Sequence, residues 1–296
     1  MSTPKTILMA NDSSRFRKRP YRLQARSATV ALRALPSLRR VFPRILARRP
    51  SPTLAAGELT HLDRVPVDAD LALAQWHGYV DAFGSRGWEV IEIAAADEHP
   101  DGVFVEDSVV IFGDLAVLAS PGADSRRGEL ATVARVLDDM ALAMHRIELP
   151  GTLDGGDVLK VGRTAYVGRS ARTNEAGVQQ LREILAPAGW TVVAVPVTKV
   201  LHLKSAVTAL PDGTIVGRSE NVDDPSVFPE FLEVPEAHGT AVVDLGDGAV
   251  LMSADAPQSA ALLRARGLDV VGVSITEFEK LEGCVTCLSV RIRHAP

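Results

Sequence analysis

Two cysteines in 296 residues, three positions apart at Cys284 and Cys287, leave the chain without a disulfide framework. A fold held by its own core in a reducing, cytoplasmic setting is the reading that fits. Long apolar runs are also missing; none approaches the roughly 20 residues of a membrane-spanning helix, so no membrane is expected as a partner. The seven histidines are scattered and not paired with cysteines, so a structural zinc site, which needs four ligands at paired spacing, is not expected. Acid is almost absent from residues 1–49, where Asp12 is the only carboxylate. The net charge of −5 therefore hides a basic start and a markedly acidic remainder. An acidic body suits a small cationic substrate and argues against nucleic acid as the main partner.

What is present is an ordinary globular composition, 46% hydrophobic and 23% charged, on a chain long enough to bury a large core. Residues 1–40 stand apart. Arg15 to Arg19, Arg22, Arg26, Arg33, Arg39 and Arg40 come without a sustained apolar face, so this extension is expected to be disordered or untranslated. An Arg-rich presequence is a further reading, and a start of translation near Val41 would show as an intact mass lacking residues 1–40. Function is expected from one catalytic domain over residues 41–296.

From Phe42 onward a pattern recurs. A strand from Phe42 to Ala47 precedes a Pro- and Gly-rich loop. A helix from Asp68 to Arg86 follows, with Leu71, Ala74, Trp76, Val80 and Phe83 at helical spacing and Gly87 as its stop, and then a strand from Trp88 to Ile93. Val103 to Phe112 and Leu115 to Ala119 read as a hairpin turned at Gly113-Asp114, followed by a helix from Gly128 to Met140 and a strand from His145 to Leu149. The series repeats with a hairpin of Gly156 to Val161 and Thr164 to Val167, a helix from Asn174 to Leu185 and a strand from Thr191 to Val197. Further hairpins fall at Ser205 to Leu210 with Thr214 to Val216, and at Thr240 to Leu245 with Ala249 to Met252. A helix from Pro257 to Arg266, a strand from Val270 to Val273 and a last strand from Cys287 to Arg293 complete a fifth unit begun by Phe42. Glu106, Asp154 and His202 are spaced by 48 residues, and Cys287 lies near two further periods beyond. Hairpin, helix and strand repeated at such a period predict modules around an axis, as in a propeller. Those four residues would then converge at equivalent strand starts.

The chemistry follows from that convergence. Leu288, Val290 and Ile292 alternate with Cys287, Ser289 and Arg291, so a half-buried strand would present Cys287 on its open face. Cys284-Val285-Thr286-Cys287 is a C-x-x-C sequence, but it enters a terminal strand and does not precede a helix. Cys287 as nucleophile with Cys284 as a small core residue is preferred to a redox or zinc pair. His202, followed by Lys204 and Ser205, suits a general acid and base, and Asp154 could hold its second nitrogen. Glu106 and Asp107, with Asp101 upstream, could receive a planar guanidinium through forked, charge-assisted hydrogen bonds. Arg126, Arg127 and Arg172 stand at strand-to-helix loops where a substrate carboxylate could be met.

These stretches resemble the dimethylarginine dimethylaminohydrolase family. The likeness is carried by Asp101-Gly-Val-Phe-Val-Glu-Asp107, Pro121-Gly-Ala-Asp-Ser-Arg-Arg127, Leu153-Asp-Gly-Gly-Asp157, Ser170-Ala-Arg-Thr-Asn174, Leu201-His-Leu-Lys204 and Thr286-Cys-Leu-Ser289. The resemblance runs from about Phe42 to Ile292. It implies the five-bladed α/β-propeller (pentein) fold of the guanidino-group-modifying enzymes, built from ββαβ modules. It also implies hydrolysis of Nω-methylated arginines to citrulline through a covalent intermediate on Cys287, with His202 as acid and base and Asp154 orienting it. Asp101, Glu106 and Asp107 would hold the cationic ends of a small guanidino amino acid, Arg126 and Arg172 its carboxylate, and Leu59 would belong to the substrate lid. No metal or organic cofactor is implied, and a homodimer is compatible with the sequence without being required by it. Asp154 stands where some members carry Glu, and Glu58 and His61 add a polar pair to the lid. Citrulline or unmethylated arginine as substrate, or a non-catalytic binding scaffold, are the competing readings. Agmatine, which lacks a carboxylate, fits poorly with Arg126 and Arg172.

Overall fold

A computed structural model describes residues 42–293 apart from 141, so the expected extension over residues 1–40 lies outside the described residues. Among the described residues fifteen strands form five three-stranded sheets. The first combines β1 (Arg44–Ala47), β2 (Glu89–Glu92) and the last strand, β15 (Val290–Ile292), in the order β15-β1-β2. The second holds β3 (Val109–Phe112), β4 (Leu115–Leu118) and β5 (Ala143–Arg146), and the third β6 (Val158–Val161), β7 (Thr164–Arg169) and β8 (Thr191–Pro196). The fourth holds β9 (Val207–Ala209), β10 (Ile215–Gly217) and β11 (Phe231–Glu233), and the fifth β12 (Val242–Gly246), β13 (Ala249–Ser253) and β14 (Asp269–Val273).

Every sheet is wired alike. Its middle strand runs antiparallel to the strand before it and parallel to the strand after it. A parallel return needs a crossover. Helices α1 (Ala69–Gly84), α2 (Leu130–Asp138), α3 (Glu175–Leu185) and α5 (Pro257–Ala265) supply it in four modules, with the one-turn α4 (Leu203–Ala206) and α6 (Thr276–Glu279) elsewhere. Short 3₁₀ turns replace the crossover helix before β11, a strand that sequence patterning misses because it has three residues and no helix in front of it.

Five apolar clusters lie at the junctions between neighbouring sheets and close the ring. Val109 and Ile111 of β3 pack with Val290 and Ile292 of β15 in one of them; Val243 and Leu251 meet Tyr79, Phe83 and Phe278 in another. This is the α/β-propeller, or pentein, architecture. Helix α1 shows how the sequence builds it. The Asp68 carboxylate accepts from Leu71 N–H (2.9 Å) and caps the start, while Trp76, Tyr79 and Phe83 are buried. Burial of each such side chain is worth about 1.5–3 kcal/mol. Of the expected face Trp76, Val80 and Phe83 are buried, while Leu71 and Ala74 face solvent and Ala72, Gln75 and Tyr79 are buried in addition. Among the described residues no helix is long and apolar enough to cross a membrane.

The main correction concerns the strand starts. Val103 to Ser108 is not strand but two 3₁₀ turns, and β3 begins only at Val109. His202 is the residue before α4, and Cys287 sits in a turn from Val285 to Leu288 ahead of β15. Cys287, Leu288, Ser289 and Val290 are all buried, so no alternation of faces exists there. The convergence of equivalent positions holds nonetheless, because each inner strand is preceded by such a turn. The turns are tied to one another, as where Glu106 N–H donates to the Cys287 carbonyl (3.2 Å).

Candidate active site

Cys287, His202, Asp107, Asp101, Arg126 and Arg172 line one cavity, together with Phe104, Glu58 and Glu282. The imidazole is held between two carboxylates. His202 Nε2 is 3.1 Å from Asp154 Oδ2, whose other oxygen accepts from Gly122 N–H at 3.0 Å. His202 Nδ1 lies 3.8 Å from Asp107 Oδ1, beyond hydrogen-bond length, which leaves this nitrogen for a reacting group. Burial opposes charge on the ring, but Asp107, the bonded Asp154 and Asp157 outweigh it and raise the His202 pKa to about 9. His202 is therefore an imidazolium at neutral pH.

Backbone geometry permits this approach only because Gly156 has no side chain. A Cβ there would lie 2.5 Å from His202 Nδ1 and 2.6 Å from Asp107 Oδ1. The Gly156 N–H donates to Asp107 Oδ1 (2.8 Å), and Arg126 Nη1 to Oδ2 (2.6 Å). Burial works against the Asp107 charge, yet His202 and Arg126 hold its pKa down to about 2. Asp107, Asp154 and His202 also bring ligand atoms within 4.8 Å of one another. The Arg126 cation on Asp107 opposes a metal ion at that place.

Asp157 is a residue that motif reading quotes without assigning it a task. It is fully buried; its Oδ2 accepts from Ser170 (2.6 Å) and Thr173 (2.7 Å), and its Oδ1 from Leu203 N–H (2.9 Å), which fixes the chain next to His202. Burial pushes its pKa up to about 6 against those bonds and the His202 charge.

Two expected substrate contacts are placed differently. Glu106 does not line the cavity: its carboxylate takes Lys204 Nζ (2.7 Å), Arg291 Nη2 (2.5 Å) and the Thr286 hydroxyl (2.7 Å), all buried or nearly so. Burial opposes its charge, and Lys204 and Arg291 overcome that and hold its pKa below the usual range. Three of its roughly four acceptor sites are filled by these partners, and the group does not line the cavity. Arg126 lines the cavity but is mostly spent. Its Nε and Nη2 donate to Glu129, Nη2 also reaches the Asp101 and Phe104 carbonyls, and Nη1 holds Asp107. One Nη1 hydrogen is left without a protein acceptor among these bonds.

Arg172 is more available. Its Nη2 pairs with Glu58 Oε2, in the loop of residues 57–62, at 3.0 Å, and the Ser125 hydroxyl bonds the other Glu58 oxygen. Asp101 accepts from Glu58 N–H (3.0 Å), and burial raises its pKa. Leu59 is half-buried against the apolar cluster that includes Cys287 and is not part of the cavity wall. The loop is fastened by Glu282, a residue no motif pointed to, which accepts from Thr60 (3.1 Å), His61 and Leu62 (2.8 Å) N–H groups. So closed, the cavity is about 20 Å³, room for about one water molecule.

The two thiols are neighbours. Cys284 Sγ is 3.2 Å from Cys287 Sγ, and Cys284 N–H points at Cys287 Sγ from 3.4 Å. Their hydrogen bond brings the first ionisation of the pair down, to about 7 at Cys284, while the same bond, with burial, pushes the second up at Cys287. The charge belongs to the pair, and a cation in the cavity draws it to Cys287. Cys284, expected as a small core residue, is half-buried and packs against the apolar cluster that includes Cys287.

A thiol, an imidazolium and carboxylates around one cavity of this fold are the arrangement of the guanidino-group-modifying pentein enzymes. The family model described as "N,N dimethylarginine dimethylhydrolase, eukaryotic" matches residues 64–224. An N(G),N(G)-dimethylarginine dimethylaminohydrolase of Streptomyces coelicolor is 58% identical over 248 residues, 84% of this chain and 96% of that protein. The enzyme of the same name from Pseudomonas aeruginosa is 33% identical over 85% of this chain and 100% of its own length. A solved structure of that enzyme with citrulline bound superposes with a TM-score of 0.79 at 32% identity, covering 85% of this chain and 100% of that one. The chain belongs to the dimethylarginine dimethylaminohydrolase family.

Proposed function

We propose that the protein hydrolyses asymmetric dimethylarginine and monomethylarginine to citrulline and the corresponding methylated amine. The observation that carries this is the His202 ring, bonded to Asp154 through one nitrogen and lining the cavity that Cys287 also lines. Asp107 and Asp101 attract the guanidinium, and its positive charge stabilises the Cys287 thiolate beside it. The thiolate adds to the guanidinium carbon. The bond to the methylated nitrogen then breaks as His202 Nδ1 delivers its proton to the departing amine, leaving an S-linked thiouronium. Neutral His202 takes a proton from water, the oxygen adds to the same carbon, and the C–S bond breaks to release citrulline and the thiolate.

Arg172, released from Glu58 when the lid opens, meets the substrate carboxylate, with the remaining Arg126 N–H beside it. Leu59 closes the lid over the substrate. The Pseudomonas aeruginosa relative with citrulline bound supports the product side of this reading.

The test is release of citrulline, amine and ornithine from asymmetric dimethylarginine, monomethylarginine, arginine and citrulline, with Cys287→Ser alongside. Turnover of the methylated substrates, lost in the variant, is expected. Turnover of arginine or citrulline alone would keep the mechanism and replace the substrate; no turnover of any would end the enzymatic reading.

A further inference from the structure

We propose that Cys284 and Cys287 form a reversible modification site, in which a hydroperoxide oxidises Cys284 and Cys287 closes a disulfide on it. Three observations meet there. The sulfurs are already 3.2 Å apart, so a bond of about 2.05 Å asks for little motion. The turn between them is closed by Cys287 N–H on the Cys284 carbonyl (3.0 Å). Such a turn brings its end residues within about 7 Å, which overlaps the span a disulfide requires. Lastly, the two cysteines line different cavities. Cys287 lines the site cavity of about 20 Å³, whereas Cys284 lines a neighbouring cavity of about 580 Å³ walled by His61, His238, Thr240 and Glu279. The larger cavity offers an oxidant room beside Cys284 that the site cavity does not offer beside Cys287.

The chemistry balances in two steps. Cys284 sulfur attacks the distal peroxide oxygen, the O–O bond breaks, and a sulfenic acid forms with release of water or an alcohol. Cys287 sulfur then attacks the sulfenic sulfur, the S–O bond breaks, and water leaves as the S–S bond forms. Both thiols are oxidised by one peroxide. A dithiol reductant reverses the disulfide by thiol exchange. Transient disulfides of this kind are the ones a reducing compartment tolerates. The bond itself does not depend on the substrate; its effect on turnover rests on the proposed role of Cys287 as nucleophile, because that sulfur is then no longer free to attack. It also shields Cys287 from irreversible oxidation.

The experiment treats the full chain with a small excess of hydrogen peroxide and follows intact mass, free thiols, peptide mapping and turnover before and after dithiothreitol. Expected is a mass lower by two hydrogens, loss of both thiols, a 284–287 linked peptide, and turnover that falls and then returns with reductant. Cys284→Ser, with Cys284→Ala in reserve should it not fold, is compared with its own untreated rate. It should inactivate more slowly, gain oxygen at Cys287 and recover poorly. Oxygen added to wild-type Cys287 with Cys284 still free, or a disulfide between two chains, would overturn the proposal. So would variants that inactivate and recover as the wild type does. A linked peptide in a protein that turns over no substrate even when reduced would leave this site standing and remove the proposed activity instead.

Discussion

His202 sits between Asp107 and Asp154 in a buried site, so its proton is what the pH dependence of turnover reports. Its pKa is raised to about 9, and the proposed step needs it protonated to expel the amine. The acid form is present below that value and lost as pH rises through it, so kcat/KM is expected to fall on an alkaline limb near pH 9. Asp107 is the largest influence raising the pKa, so Asp107→Asn should move the limb to lower pH, whatever it does to KM. A limb that stays in place in this variant would take the titration away from His202. Asp154→Asn weakens the bond that orients the ring, and kcat is expected to drop by about a hundredfold or more, the scale of general acid–base catalysis. At this scale the meeting of Cys287, His202 and Asp154 at one place is legible in the sequence. Asp157 is not, because its work is done through Leu203 N–H, a bond that exists only once two modules meet.

The loop of residues 57–62 is held at its start by Glu58, bonded to Arg172, Ser125 and Asp101, and at its far end by the Glu282 side chain. Three consecutive N–H groups, of Thr60, His61 and Leu62, converge on the Glu282 carboxylate, and Glu282 itself adopts a left-handed backbone (φ 59°) that few non-glycine residues take. Hydrogen bonds to a charged acceptor contribute about 1.5–3 kcal/mol, and 1.4 kcal/mol is about tenfold in an equilibrium. Glu282→Gln is therefore expected to raise amide hydrogen exchange at Thr60–Leu62 by roughly tenfold while exchange in β6 and β7 is unchanged. Equal exchange in variant and wild type would mean that the loop is held by something else. Helices capped by Asp68 and Asn174, and hairpins turned on glycine, are readable because each end carries its own chemical signal. The turns that bear the site are not. Glu106-Asp107-Ser108 interrupt the apolar residues on either side of them, but all four residues of β3 are buried, so no alternation shows that the strand begins only at Val109.

On the scale of the whole ring, the repeat of 48 residues predicts which positions converge, and it places Glu106 with Asp154, His202 and Cys287 as expected. What spacing cannot give is the direction a side chain takes once it arrives, and Glu106 turns away from the site cavity. It joins Lys204, which precedes β9, to Arg291 of β15 and Thr286 beside Cys287, and so ties together the second, fourth and first sheets. The partners lie 98, 185 and 180 residues from it along the chain, beyond the reach of any local motif. Removing one member of a buried ion network leaves the others uncompensated, at a cost of about 3–5 kcal/mol. For a chain of this size that corresponds to a melting temperature lower by roughly 6–20 °C. Glu106→Ala should show that loss, with KM for the methylated substrate close to the wild-type value when assayed well below the transition. The expectation from resemblance, that Glu106 holds the guanidinium, requires the reverse pattern. A raised KM with an unchanged melting temperature would return Glu106 to the substrate, while a lowered melting temperature with KM intact assigns it to the ring that holds the site together.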